Sequence, residues 1–336
     1  MLKQFDYFCA MGNTDIFNNL SEDAFNEQAL SMYFFQRENN PVYRQFIHAL
    51  NRASFNPMHY SEIPFLPVEF FKTHRVASGD FKEEEVFSSS GTTGSIVSQH
   101  FVRDVEVYHQ SYREAFRWFY GDVYEWVILA LLPSYLEREG SSLVMMAEGL
   151  IKDSKNKLSG FFLNDIPALL RNLKMAQQQK DKKILLLGVS FALFELAEKH
   201  HPNLKGVTVM ETGGMKGRRQ ELIREELHRI LCEGFGVSEI HSEYGMTELL
   251  SQAYSSGKGI YRCPPWLKVV ITETEDPFSM APKGKSGLIN LIDLANIHSC
   301  GFIATRDLGR QHADGSFEVL GRFDHSDVRG CNLMVG

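Results

Sequence analysis

The spacing of hydrophobic residues divides the chain into three stretches of different character. Residues 1–60 lack the alternation typical of strands and contain amphipathic runs such as Phe25–Phe35, with Ser21 placed to cap a helix. Pro64 and Pro67 then exclude helix and favour an extended backbone. The first stretch is therefore predicted to be helical and to lead into an extended segment.

From residue 126 to residue 232, short apolar runs alternate with longer amphipathic ones. The apolar runs are nearly continuous, which is typical of strands buried on both faces. The alternation predicts a largely parallel sheet covered by helices. The predicted strands are Val127–Leu132, Ile184–Val189, Val207–Met210 and a short one at Val237–Ile240, and the predicted helices are Ser141–Ile151, Phe191–Lys199 and Gly217–Cys232.

After about Leu267 the pattern changes to short strands without helices between them, with Asp314-Gly315 as a hairpin turn. The predicted strands are Leu267–Ile271, Gly287–Leu294, Phe302–Thr305 and Phe317–Leu320. Because no flexible linker or internal repeat separates the stretches, we expect one large α/β domain. It would comprise a helical region at 1–60, an α/β core at 61–265 and a β-rich section at 266–336.

Composition narrows the class of protein. The 336 residues are 43% hydrophobic and 23% charged, which is ordinary for a globular protein. The 35 basic and 42 acidic side chains leave no basic surplus for nucleic acid. No secretory signal is visible at the N-terminus, and no run approaches the ~20 apolar residues that span a bilayer. We therefore expect a cytoplasmic protein. Its five scattered cysteines predict neither disulfides nor a zinc site.

The first polar segment with chemical potential is residues 88–95, which contains only hydroxyl-bearing residues and glycines. Glycine lets the backbone approach an anion, and the N–H groups and hydroxyls can then donate to phosphate oxygens. A flexible surface turn is the alternative. The segment matches neither the P-loop nor the dinucleotide-binding glycine motif, so we expect neither of those sites.

Two further polar segments follow. Residues 242–248 include the flat ring of Tyr244, the hydroxyl of Thr247 and the carboxylate of Glu248, which could hold Mg²⁺. Alternatively, these residues begin a helix, with Glu248 favouring its dipole in the first turn. In the tail, charged residues at 305–310, 321–324 and 329–333 lie between apolar runs and, taken alone, indicate solvated turns or ion pairs.

Taken in this order, the three segments resemble the adenylate-forming enzymes, the superfamily of acyl-CoA ligases and luciferases. The resemblance implies ATP and Mg²⁺ as cofactors. The family's phosphate-handling loop matches Ser89, Ser90, Gly91, Thr92, Thr93 and Gly94. Its Y-G-x-T-E motif, which faces adenine and phosphate and supplies a metal-binding carboxylate, matches Tyr244, Gly245, Thr247 and Glu248.

Four more positions complete the resemblance. Gly213 and Gly214 follow a strand where the family places the wall of its adenine site. Asp307 stands where the family's T-G-D aspartate binds the ribose hydroxyls, with arginine replacing the glycine before it. Arg322 belongs to a G-R-x-D motif, in which the arginine is expected near ribose and phosphate.

Two departures narrow the resemblance to one branch. No Pro-Lys follows the glycine of the loop, and the chain ends soon after Gly330, so the family's mobile C-terminal domain is expected to be largely absent. The LuxE-type acyl-protein synthetases, which are similar to phenylacetate-CoA ligases, share these features. In that branch a cysteine near the C-terminus carries the acyl group, and Cys331 occupies its position.

The resemblance implies that a carboxylic acid, in this branch a fatty acid, is activated by ATP to an acyl-adenylate. The acyl group then passes to Cys331 and on to a partner such as an acyl reductase, with His325 as a candidate base. Three alternatives remain open. Cys331 could merely replace an apolar residue of a turn, the enzyme could be an acyl- or aryl-CoA ligase, or the chain could be a non-catalytic nucleotide-binding subunit.

Overall fold

The computed structural model describes residues 15–89, 96–133, 139–213 and 223–323. The described residues form two compact units. The terminal unit contains residues 15–82 and 265–323, and the central unit contains the described residues between 83 and 264.

The elements below are those of the described residues. The α-helices are α1 (Glu22–Asn39), α2 (Pro41–Ala49), α3 (Phe70–Thr73), α4 (Val105–Tyr120), α5 (Ser142–Ser154), α6 (Ile166–Ala176), α7 (Ser190–His200) and α8 (Arg224–Phe235). The 3-10 helices are Asp15–Phe17, Tyr60–Glu62 and Val123–Glu125. The strands are β1 (Leu66–Pro67), β2 (Glu85–Ser88), β3 (Gln99–Val102), β4 (Trp126–Leu131), β5 (Gly160–Phe161), β6 (Lys183–Val189), β7 (Val207–Thr212), β8 (His241–Tyr244), β9 (Ala253–Ser255), β10 (Ile260–Arg262), β11 (Leu267–Thr272), β12 (Ser286–Asp293), β13 (Phe302–Gln311) and β14 (Phe317–Arg322).

The terminal unit packs the N-terminal helices with the C-terminal strands. Strands β11, β12, β13 and β14 pair antiparallel in that order, and β1 pairs in parallel with β13. Helix α1 begins at Ser21, whose Oγ accepts a hydrogen bond of 3.2 Å from the Ala24 N–H. Such a cap stabilises a helix by about 1 kcal/mol. The helical region and the later strands thus form where the hydrophobic pattern predicts them.

One buried amide ties α1 to the loop that joins β12 to β13. Gln36 Nε2 donates to the carbonyls of Asn296 and Ile297 at 2.9 Å, and Gln36 Oε1 accepts from the Gly301 N–H at 3.0 Å. The side chain is fully buried. Both polar atoms of this buried amide have partners, so its burial leaves no unsatisfied group. The bonds fix α1 to the loop between β12 and β13. Tyr43 stacks on Phe302 beside it, with ring centroids 6.1 Å apart.

The central unit contains the parallel sheet that the alternating pattern predicts. Strands β5, β4, β6, β7 and β8 pair in parallel in that order, and β9 and β10 continue the sheet antiparallel. All six residues of β4 are buried, and so are all residues of β6 after the first. Burial of both strand faces explains the continuous apolar runs. The carboxyl ends of the parallel strands lie at one edge, where open α/β sheets bind ligands.

Three features of the central unit differ from the sequence prediction. The strand expected at Val237–Ile240 lies instead at His241–Tyr244, where the residues are polar and periodicity gives no strand signal. Residues 245–250 form turns and coil rather than a helix, so the helix start considered for residues 242–248 is wrong. A separate hairpin of β2 and β3, not predicted, precedes the parallel sheet.

Residues 61–82, which the sequence analysis grouped with the α/β core, lie in the terminal unit. The pairing of Leu66 with Ile303 and of Pro67 with Ala304 explains their position. Among the described residues, no helix is both long and apolar enough to cross a membrane.

Candidate active site

The structure brings two of the predicted segments together at the carboxyl edge of the central sheet. Strands β7 and β8 are parallel neighbours, with Thr212 opposite Glu243 in the register. Gly213 follows β7 directly and has a φ of +67°, a backbone conformation that favours glycine. Tyr244 ends β8 and leads into Gly245. The glycine after one strand and the tyrosine at the end of the next therefore lie side by side.

The stem of the hydroxyl-rich loop is built by the β2–β3 hairpin. Beyond its last rung, the Ser89 N–H donates to the Ser98 carbonyl at 3.1 Å, and the Ser98 N–H donates to Ser89 Oγ at 2.9 Å. The Ser89 hydroxyl therefore helps to close the loop and keeps its own proton as a donor. The remaining predicted loop residues, Ser90, Gly91, Thr92, Thr93 and Gly94, lie outside the described residues.

Glu243 is a buried carboxyl group at this edge that the sequence analysis did not single out. Its side chain accepts a hydrogen bond of 2.5 Å from Thr212 Oγ1. Burial raises the pKa of Glu243 to about 7, and the negative charge of Glu211 adds to the effect, while the Thr212 bond acts against it. Near pH 7 the carboxyl is thus shared between its protonated and ionised forms. Only burial distinguishes Glu243 from a surface glutamate, and burial of a polar strand leaves no sequence signal.

Glu211 lies one residue before Thr212, and its pKa is lowered, whereas that of Glu243 is raised. Burial disfavours its charge, but His228 Nε2, Arg224 Nε and Ser190 Oγ surround the carboxylate at 3.6, 3.7 and 2.8 Å and hold its pKa below the ordinary value. A buried carboxylate with such partners stays ionised. It joins β7 to the first turns of α7 and α8, and it places Gly213 on a fixed strand end.

Steric crowding explains why the second position of the Y-G-x-T-E motif is a glycine at this site. A Cβ on Gly245 would lie 2.4 Å from Glu243 Oε1, closer than a real Cβ contact. Any larger residue would displace either the buried carboxyl or the turn after β8. The motif's glycine therefore lets the chain pass close to Glu243 on its way to Thr247 and Glu248.

Thr247 and Glu248 lie at the end of this turn. The Glu248 side chain is buried, and the Thr247 carbonyl accepts a hydrogen bond of 2.9 Å from His100 Nδ1. Among the described residues, no three of His, Cys, Asp and Glu form a group able to hold a metal ion alone. Mg²⁺ is typically bound by one or two carboxylates together with substrate phosphates, so a single carboxylate in a polar turn fits that use.

Asp307 and Arg322 lie together in the terminal unit. They face each other across β13 and β14 in the register. The Asp307 N–H donates to Thr305 Oγ1 at 3.0 Å, and that hydroxyl donates to the Ile289 carbonyl at 2.7 Å. Arg306, which replaces the family's glycine, forms an ion pair with Glu69. Gly214 and Cys331 lie outside the described residues.

The shifted pKa of Glu243 predicts a pH-dependent stability. Because its pKa rises from 4.5 to about 7 on folding, the group stabilises the fold fully below pH 4.5 and loses that contribution as pH rises to about 7. The loss is at most about 3 kcal/mol, from 1.36 kcal/mol per pKa unit. We expect Glu243→Gln, which still accepts from Thr212, to remove this pH dependence.

Urea unfolding of the wild type and the variant at pH 4.5 and pH 8 measures the effect. The exposed Glu225 provides a matched control, since Glu225→Gln should keep the wild-type slope. Equal pH dependence in the wild type and Glu243→Gln would contradict the assignment.

Comparison with known proteins identifies the family. Residues 164–336, more than half of the chain, match the family described as acyl-protein synthetase, LuxE. The chain belongs to the LuxE acyl-protein synthetase family. This confirms the resemblance found in the sequence, and with it the prediction of an AMP-forming, acid-activating enzyme. A search of curated proteins found no match.

Solved structures similar to this LuxE family member are adenylate-forming ligases. An open conformation of 2-hydroxyisobutyryl-CoA ligase with 2-HIB-AMP and CoA has a TM-score of 0.66 and 12% identity, over 90% of this chain and 75% of that one. ATP-bound MatB from Rhodopseudomonas palustris has a TM-score of 0.55 and 15% identity, over 88% and 61%. An ATP-bound RpMatB-BxBclM chimera has a TM-score of 0.52 and 16% identity, over 73% and 49%. The chain spans between about half and three quarters of the length of these proteins, and the likeness confirms the α/β adenylate-forming fold.

Proposed function

We propose that this chain activates a fatty acid with ATP and transfers the acyl group to its own Cys331. In the first step a carboxylate oxygen attacks the α-phosphorus of ATP and pyrophosphate leaves, which gives an acyl-adenylate. In the second step the Cys331 thiolate attacks the acyl carbon and AMP leaves, which gives a thioester. An acyl reductase or another acceptor protein would then take the acyl group. The observation that carries the proposal is the family match together with the Y-G-x-T-E segment at the carboxyl edge of the sheet.

The proposal gives the groups at that edge, and Asp307 and Arg322 of the terminal unit, roles that their chemistry supports. The ring of Tyr244 offers a stacking face for adenine, beside Gly213 and Gly214, and the hydroxyl of Thr247 can donate to a phosphate oxygen. Glu248 would hold Mg²⁺, which neutralises phosphate charge when bound. The loop from Ser89 to Gly94 would bind the pyrophosphate end. We assign the ribose hydroxyls to Asp307, and the ribose and phosphate to Arg322.

The chain's contribution to the first step is to position the substrates and to neutralise charge. A carboxylate is a poor electrophile because hydroxide leaves badly, whereas AMP leaves readily. Donors fixed on strand ends and on a closed hairpin need little rearrangement when charge develops on the phosphates. The second step needs a thiolate, and Arg329 would favour it while His325 could accept the thiol proton. Both lie outside the described residues.

A second candidate function is an acyl- or aryl-CoA ligase. The observation in its favour is the likeness to 2-hydroxyisobutyryl-CoA ligase, whose structure contains CoA. A panel of fatty, short-chain and aromatic acids, scored by pyrophosphate exchange into ATP, tests the activity and its acid class. AMP release that requires CoA would support the ligase. No exchange with any acid would support a non-catalytic nucleotide-binding subunit, which the missing loop lysine would suit.

A further inference from the structure

His100 joins strand β3 to the turn after β8 through a hydrogen bond between side chain and backbone. It lies on β3, opposite Phe87 of β2, and its side chain is only 1% exposed. Its Nδ1 lies 2.9 Å from the carbonyl oxygen of Thr247, which is 147 residues later in the chain. A histidine at this position is neither part of the Y-G-x-T-E motif nor part of the hydroxyl-rich loop.

The geometry defines the protonation of the ring. A carbonyl oxygen only accepts hydrogen bonds, so Nδ1 must carry the proton that it donates to Thr247. The bond therefore requires either the Nδ1–H tautomer or the doubly protonated ring. It uses the ring nitrogen nearer to the backbone, which leaves little freedom in the distance between β3 and the turn after β8.

The residue just before this strand closes the stem of the hydroxyl-rich loop. Ser98, two residues before His100, makes both hydrogen bonds to Ser89 that form the loop stem. On the other side, the Thr247 carbonyl belongs to the peptide that joins Thr247 to Glu248. Fixing that carbonyl fixes the peptide plane from which the Glu248 side chain begins. Ser98 thus sets the base of the loop, and His100, two residues later, sets the orientation of the Thr247–Glu248 peptide.

We propose that His100 is a positioning residue that holds the Thr247–Glu248 peptide, which carries the proposed Mg²⁺ carboxylate, in register with the Ser89–Ser98 stem through its Nδ1–H bond to the Thr247 carbonyl. The inference rests on the proposed function, because that function assigns both segments to the binding of MgATP. His100 itself need not touch that substrate. Displacement of a reacting group by about 1 Å can lower a rate by about 100-fold, so loss of this bond should be visible in catalysis.

A pair of amide variants tests the bond. The side-chain nitrogen of asparagine can replace Nδ1, whereas that of glutamine replaces the more distant Nε2. We therefore expect His100→Asn to retain more of the pyrophosphate exchange than either His100→Gln or His100→Ala. We expect His100→Gln and His100→Ala to lose about 100-fold in kcat, with a raised KM for MgATP. His241→Gln, a histidine at the start of β8 that contacts Tyr120, provides the control and should behave as wild type.

Further measurements separate this inference from the proposed function. Nitrogen NMR of histidine-labelled full chain shows directly whether Nδ1 of His100 is protonated, and it does not depend on catalysis. Affinity for MgATP, compared with ATP alone, should fall further in His100→Gln than in His100→Asn. Thermal unfolding should show that every variant is folded. If wild type lacks acid-dependent exchange, the proposed function fails while the NMR result still stands. An Nδ1 without a proton, or a His100→Gln variant equal to wild type in both kcat and MgATP affinity, would overturn the inference.

Discussion

Replacement of Cys331 by alanine is expected to abolish the acyl-protein while leaving acid-dependent pyrophosphate exchange intact. The two steps use different groups, because ATP activation needs only the nucleotide-binding residues and the acid, whereas the thioester needs a sulfur nucleophile. Incubation with a labelled fatty acid and ATP, followed by gel electrophoresis and intact-mass measurement, detects the acyl-protein. Hydroxylamine should remove the label from wild type, because thioesters are cleaved by this nucleophile.

The three cysteines within the described residues support this choice and provide the control. Burial raises the pKa of the Cys300 thiol to about 12, and burial also raises that of Cys232, so neither is prepared to act as a thiolate. Cys263 is half-buried. Cys263→Ala should therefore keep the labelled band. A band that persists in Cys331→Ala would show that Cys331 only replaces an apolar residue of a turn.

Replacement of Glu248 by glutamine is expected to suppress the adenylation step itself. Glutamine has nearly the same shape as glutamate but no charge. It therefore cannot supply the carboxylate that would hold Mg²⁺ beside the phosphates. Loss of one preorganised electrostatic contact in an active site typically costs about 10²- to 10³-fold in rate, and we expect a decrease of that size in pyrophosphate exchange. The side chain is buried in a turn whose carbonyl at Thr247 is held by His100, so its position is fixed before substrate binds.

The same assay distinguishes a metal-binding role from a structural one. Glu225→Gln, at an exposed position in the first turn of α8, should leave exchange unchanged. Thermal unfolding of Glu248→Gln should show a folded protein, and a higher Mg²⁺ concentration should restore part of its activity. Exchange equal to wild type in Glu248→Gln would dismiss the assignment of Mg²⁺ to this residue.

Hydrophobic spacing predicts those strands and helices whose buried residues form continuous or periodic apolar runs. The continuous runs of β4 and β6 and the amphipathic helices after them follow from hydrophobic spacing alone. The strand β8 was misplaced because its residues are His, Ser, Glu and Tyr, of which Ser242 and Glu243 are buried. Polar residues that are buried beside partners from other strands carry no periodic signal, so their strand becomes visible only in the folded chain.

The residues of the candidate site could be predicted from their types and spacing, but the contacts between them could not. The side chains of Tyr244, Thr247 and Glu248 can be assigned roles from their chemistry and spacing. The bond from His100 to Thr247 and the bond from Thr212 to Glu243 join positions 147 and 31 residues apart. Nothing in the local sequence of one partner indicates the other, because the contact depends on how β3, β7 and β8 are placed by the sheet and the hairpin.

The central claim, acid activation by adenylation, is tested most directly by exchange of labelled pyrophosphate into ATP. The purified full chain is incubated with ATP, Mg²⁺ and each acid of the panel, without CoA. We predict exchange that depends on the presence of a fatty acid and stops when Mg²⁺ is removed. Exchange that is absent with every acid, or that is equally strong without any acid, would contradict the account.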